Sequence, residues 1–268
     1  MKKINKLWTL LLLLILTVGL VGCAKQSTSG HSNEAKSTKT THEKANTTKK
    51  KAVITMASKL KDSKKQQLVY APFGDSLSVG LFANSKSQRF TTQFAKDISH
   101  QTGKKVTEQG ISEVGKMASN LGISQVNNIV AQHPDIITIE FGTNDAAGGA
   151  TSSALNNYES SMNTIIKTLQ DNTQAQIILM TTWSNNGGIH VAADKEFDQI
   201  VYHLGKTYDL PVVDLSKIWD GNNNVTGPSG TNVNDFATWG SRDNFHPNQL
   251  GHDEIAKLLS KELVKPIK

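Results

Sequence analysis

A serine, a histidine and an aspartate, far apart in the chain, are of the types that together attack a carbonyl. Ser76 lies in GDSLS, residues 74–78, and Asp243 and His246 lie in RDNFHPN, residues 242–248. A serine hydroxyl is a poor nucleophile near neutral pH. It needs a base within hydrogen-bond reach, a group that orients the base, and donors for the oxyanion that forms. Asp243, three residues before His246, is near enough on a loop to accept from one imidazole nitrogen while the other faces Ser76. Two more stretches offer donors. EFGTND, residues 140–145, carries Asn144, whose amide can donate to a developing negative charge, and EQGIS, residues 108–112, carries Gly110, whose N–H can approach a substrate oxygen because no side chain intervenes. Taken singly, each stretch is also an ordinary turn or helix cap, and Asp145 is read as a turn residue.

Positioning these groups falls to an alternation of apolar runs and helical periods. Strands are expected at 68–73, 105–109, 136–141, 176–181 and 212–214, with helices near 90–100, 116–132, 155–169, 194–208 and 252–264. Such alternation predicts an α/β fold: a three-layer α/β/α sandwich around a mostly parallel five-stranded sheet. In open parallel sheets the ligand site forms at the carboxyl ends of the strands. Ser76 follows the first expected strand, Gly110 the second, Asn144 the third, and Trp183 with Asn185 the fourth, while Asp243 and His246 lie in the loop after the fifth. All the useful side chains therefore fall on one edge of the sheet.

GDSLS, the glycine of QGIS, GTND at 142–145 and DNFHPN at 243–248 resemble, in order and spacing, the four blocks of the SGNH hydrolases, also called GDSL esterases. The resemblance spans the whole expected folded part and implies a flavodoxin-like SGNH hydrolase fold. It further implies Ser76 as nucleophile, His246 as general base and Asp243 as its orienting partner. The oxyanion hole would comprise the N–H groups of Ser76 and Gly110 and the amide of Asn144. In the second block this chain departs from the family pattern, with Glu108 and Glu113 where many members carry Asn and a second Gly.

The substrate is less legible. TWSNNGGIH, residues 182–190, and the long loop 219–240 are rich in Asn, Gly and Thr and contain Trp183, Trp219 and Trp239. Trp183, Asn185 and Trp239 are expected to meet substrate, indoles stacking on a sugar face while amides meet hydroxyls. This favours a serine esterase that removes short acyl groups, acetyl above all, from a glycan or a small hydroxylated molecule. The rival activities are a lipase, lysophospholipase or thioesterase on longer chains, and a lipid-anchored solute-binding protein. No cluster has metal-ligand spacing and no dinucleotide-binding glycine pattern occurs, so neither metal nor cofactor is expected. His100, His133, His190, His203 and His252 are read as local hydrogen-bonding residues.

The amino-terminal end bears on location. Lys2, Lys3 and Lys6 precede a short apolar run, a secretory signal in pattern, and LVGC at 20–23 resembles the lipobox of bacterial lipoproteins. The resemblance implies cleavage of residues 1–22 and lipidation of Cys23, the only cysteine in the chain. Residues 23–65, rich in Lys, Ser and Thr, read as a flexible tether with a possible short helix near 53–60, and 66–268 as the hydrolase domain. Residues 1–65 hold 14 Lys and 3 acids, net +11, whereas 66–268 hold 15 basic and 20 acidic residues, net −5. The acidic domain gives no reason to expect nucleic acid. The basic tether points instead to a lipid surface or an anionic wall polymer. An enzyme anchored on the outer face of a bacterial membrane, monomeric and acting on an ester substrate, is the resulting expectation.

Overall fold

A computed structural model describes residues 53–267. In chain order the elements are α1 (Met56–Asp62), β1 (Gln67–Gly74), α2 (Ser76–Val79), α3 (Phe90–Thr102), β2 (Lys105–Glu108), β3 (Ile111–Ser112), α4 (Ile123–Val130) and β4 (Ile136–Glu140). There follow α5 (Thr143–Ala146), α6 (Ser152–Asn172), β5 (Gln176–Met180), α7 (Val191–Thr207), β6 (Val212–Val213), α8 (Ser216–Trp219) and α9 (Gln249–Leu263). The sheet runs β2-β1-β4-β5-β6, with β3 also on β1, and every pairing is parallel. Alternate strand residues serve opposite faces. Ile136, Ile178 and Met180 pack under α1, α3 and α9, while Ile137, Ile139, Ile177 and Leu179 pack under α4, α6 and α7. Burial on both faces explains why these strands read as unbroken apolar runs.

The sheet has six strands where five are expected, because the second is interrupted. β2 pairs Tyr70 with Glu108 and β3 pairs Phe73 with Ile111, so both keep one register and the break falls opposite Pro72. Proline has no N–H for the ladder. Gly110 fills the gap, where a Cβ would stand 2.1 Å from the Pro72 carbonyl oxygen. Gly110 is therefore inside the edge strand, level with Pro72, rather than at its carboxyl end.

The ordered fold also begins before residue 66. Thr55 and Ser58 form a capping box for α1, which buries Met56, Ala57 and Leu60 in the core. Thr55 bridges to Pro266, and the Ile267 N–H donates to the Ile54 carbonyl at 2.8 Å. The Lys65–Asp135 ion pair, 2.8 Å, sets this entry segment just ahead of β4. The chain thus enters at the amino ends of the strands, opposite Ser76. Cys23 and most of the expected tether lie outside the described residues.

Candidate active site

Ser76 opens α2 directly after β1. Asp75 caps that short helix, its Oδ1 accepting from the Leu77 N–H at 3.0 Å, and Gly80 ends it with φ 81°. As the first helical residue, Ser76 has no intrahelical acceptor for its own N–H. Its side chain is buried under the loop before α9, where the Ser76 Oγ lies 2.9 Å from His246 Nε2. His246 Nδ1 lies 2.7 Å from Asp243 Oδ2. Asp243 also shapes its own loop, because Oδ1 accepts from the N–H groups of Phe245, 3.0 Å, and His246, 2.8 Å. Burial works to raise the Asp243 pKa but is outweighed by the His246 hydrogen bond and charge and by those N–H groups, which hold it below the usual value. A Ser–His–carboxylate line can pass a proton from the hydroxyl to an imidazole whose other nitrogen is fixed. The rings of Phe82 and Phe245 meet the imidazole edge-on at 5.6 and 5.3 Å between centroids.

Asn144, in α5 just past β4, points its amide at the same turn. Its Nδ2 donates to Asp75 Oδ2 at 2.7 Å and to the Lys116 carbonyl at 3.0 Å. Both amide hydrogens are thus engaged, one by the Asp75 carboxyl and one by a loop carbonyl that a substrate oxygen could replace. Gly110 is not gathered in with these groups. It packs against Pro72 on the edge strand, and its lack of a side chain answers that close approach.

Three acids beside the turn were not singled out as site residues in the sequence. Asp75 is fully buried, and burial raises its pKa to about 6 against the pull of the Leu77 N–H, His246, Glu140 and Asn144. Glu140 is also fully buried, and burial followed by the charge of Asp75 puts its pKa well above the carboxylate range. Asp145 accepts from the Ala118 N–H at 3.3 Å, and burial raises it to about 6. The signal for Glu140 was present, since an acid stands inside the apolar run IITIEF.

Residues 73–254 match the model of the GDSL-like lipase/acylhydrolase family. The chain belongs to that family. This GDSL-like hydrolase also resembles solved structures at low identity, where the likeness is one of fold. The acetyl xylan esterase AlAXEase matches with a TM-score of 0.58 and 17% identity over 74% of this chain and 100% of that one. A lipase/acylhydrolase from Enterococcus faecalis matches at 0.56 and 21% over 75% and 99%. Axe2, an acetylxylan esterase from Geobacillus stearothermophilus, matches at 0.56 and 16% over 74% and 94%. No curated protein matches the sequence. The family is one of ester hydrolases, which sets aside the solute-binding reading.

The residues expected to meet substrate part company in the hydrolase. Trp183 is fully buried and donates from Nε1 to the Phe245 carbonyl at 2.7 Å, so its indole supports the His246 loop and has no face left for a sugar. Trp219 is likewise buried. Trp239 is 54% exposed. Asn185 lines a cleft of about 440 Å³ with Asn186, Asn223, Asn224, Asn244 and Asn248, the last two flanking His246 in sequence. A larger cleft of about 560 Å³, lined by Lys59, His133 and Asp135 among others, is at the entry-segment end of the sheet, away from Ser76.

Proposed function

We infer that this GDSL-like hydrolase is a serine esterase that removes short acyl groups, acetyl above all, from a glycan or small hydroxylated substrate. The observation that carries the reading is the continuous Ser76–His246–Asp243 line, at 2.9 and 2.7 Å. Ser76 Oγ attacks the ester carbonyl carbon as its proton moves to His246 Nε2, and the tetrahedral oxyanion takes the Ser76 N–H and the Asn144 amide hydrogen released by Lys116. The intermediate collapses, the alcohol leaves with the proton from His246, and an acyl-serine remains. Water then gives its proton to His246 and attacks the acyl carbon, which releases the carboxylic acid and restores Ser76.

The preference for acetyl rests on the Asn-lined cleft, whose Asn244 and Asn248 flank His246 in sequence and whose amides suit hydroxyl groups rather than alkyl chains, and on the exposed indole of Trp239. Two similarly folded proteins are acetylxylan esterases by name, in keeping with that reading. Lipidation at Cys23 would hold the enzyme on the outer face of the membrane, with the Lys-rich segment against anionic lipid or wall polymer. A serine-directed fluorophosphonate should label the native wild type and not Ser76→Ala or the heat-denatured protein. In the same preparation kcat/KM should fall as the ester acyl chain lengthens from acetyl to octanoyl. Octanoyl esters turning over faster than acetyl esters would move the assignment to the long-chain lipases. Cys23→Ser should shift the protein from the membrane to the soluble fraction, and continued sedimentation with membranes would remove the lipid anchor from the reading.

A further inference from the structure

Directly beneath the Ser76 turn sits a carboxyl that the reaction just described leaves unused. Glu140 ends β4 and projects from the face that also carries Ile136 and Thr138. Its Oε2 gathers donors from the nucleophile's own segment: the Asp75 N–H at 3.3 Å, the Ser78 N–H at 3.2 Å and the Ser78 hydroxyl at 2.9 Å. The fit is close. A Cβ on Gly74 would lie 2.3 Å from the Glu140 carbonyl oxygen and 2.6 Å from Oε2, so the glycine of GDSLS makes room for this acid.

A second carboxyl adjoins it. Asp75 is fully buried and within hydrogen-bonding reach of Glu140, and neither forms an ion pair with a lysine or arginine among the described residues. The ionisable groups acting on the pair are Tyr70 from β1, Tyr158 from α6, Asp145 from α5 and His246 from the loop before α9. Two adjacent carboxyls withdrawn from water cannot both ionise, so the pair keeps a proton. The contacts say where. Asp75 accepts from the Leu77 N–H and from Asn144 and feels the charge of His246, all of which favour its anion. Glu140 Oε1 is buried and meets no donor among the described residues. Protonation of Glu140 removes the charge that the donorless Oε1 would otherwise share in a site closed to water.

We propose that Glu140 is a positioning residue: an uncharged carboxylic acid that pins the Asp75–Ser78 turn and leaves Asp75 as the anion that aims the Asn144 amide. The proposal rests on Ser76 being the nucleophile. Glu140 touches no substrate. It acts by fixing the N–H groups on either side of Ser76 and the charge state of the carboxylate that holds the oxyanion donor.

The test uses the full chain with an acetyl ester, comparing wild type, Glu140→Ala, Glu140→Gln and Ser78→Ala. Glu140→Ala should lower kcat about tenfold or more with KM within about twofold, because aim rather than affinity is lost. Glu140→Gln presents an acceptor to the turn and an N–H to Asp75, and should bring kcat back to within about threefold of wild type. Infrared difference spectra of wild type against Glu140→Gln at pH 7 should contain a protonated-carboxyl C=O band. Unchanged kcat in the alanine variant, equal impairment of both Glu140 variants, or no protonated-carboxyl band would each overturn the proposal. Should Glu140→Ala fail to fold, Ser78→Ala removes one bond to Oε2 and should still lower kcat severalfold, and wild-type turnover there would count against it. If wild type neither hydrolyses the ester nor takes the fluorophosphonate, the nucleophile reading is what fails, while the infrared band still reports the state of Glu140.

Discussion

At the scale of single residues, the site combines a charge that is stabilised with one that is withheld. Asp243 is held below its usual pKa by His246 and two N–H groups, so it can balance an imidazolium as that forms. Ser76→Ala and His246→Ala should each cut turnover of an acetyl ester by several orders of magnitude while leaving the folded state intact, since the two groups act as a unit. More than about a tenth of the wild-type rate in either variant would contradict the triad. Asn144→Ala should lower kcat roughly a hundredfold with little effect on KM, as befits a donor used in the transition state. An effect confined to KM would make Asn144 a binding residue instead. Asn144 also ties Asp75 to the Lys116 loop, so this variant calls for a check of thermal unfolding beside its kinetics.

At the scale of elements, the edge strand gives Gly110 a role that needs no substrate. A methyl at that position would press on the Pro72 carbonyl and ring, backbone and Cδ atoms 2.1 to 2.7 Å away, with no flexible side chain to yield. Gly110→Ala is expected to destabilise the fold by at least about 1–3 kcal/mol, seen as a lower denaturant midpoint. Unaltered stability with lost turnover would return Gly110 to the oxyanion hole. The entry helix is the second element with a structural consequence. Leu60 is 4% exposed in the core that also holds Leu68, Phe94 and Leu259. Leu60→Ala should cost about 2–5 kcal/mol, whereas a residue of a solvated tether would cost almost nothing.

At the scale of the whole molecule, the buried acids set how stability varies with pH. Burial raises the pKa of Asp75, Asp145 and Asp194 to about 6, and that of Asp198 to about 7. The folded state therefore holds these protons more tightly than the unfolded chain. Their contribution is complete below the ordinary carboxylate range and is lost as pH rises through 6 to 7. His252 opposes them. Its burial lowers the pKa to about 4, so its contribution is present above the ordinary histidine value and lost as pH falls toward 4. With several acids against one histidine, Tm should be higher near pH 5 than near pH 8, and Asp198→Asn should flatten the difference. A Tm that climbs steadily from pH 5 to pH 8 would contradict this balance. The entry segment meets the sheet at the amino ends of the strands, whereas Ser76 stands at their carboxyl end.

Five strands, their order in the chain and the four short blocks were legible in the sequence because each depends on local pattern. A parallel strand buried on both faces must be an apolar run, and a turn at its carboxyl end must carry turn-forming residues. Such patterns already place Ser76, Asn144 and His246 on one edge. Other facts depend on which segments meet across the fold. Trp183 and Trp239 look alike in their loops, yet one is enclosed beneath Phe245 and the other is half exposed. The short helix expected near 53–60 is present as α1, but its three apolar side chains gain a partner only when α3 and α9 are in place, so the segment's place in the core was not legible. Gly110 follows an apparent strand, but its position is decided by Pro72, which lies 38 residues earlier and lacks the N–H the ladder needs. Glu140 is an acid in an apolar run, and only the folded sheet brings Asp75 and Ser78 over it. Composition and spacing determine what a segment can become, whereas the burial and charge of a given side chain are set by neighbours far away in the chain, and these exist only after the layers have packed.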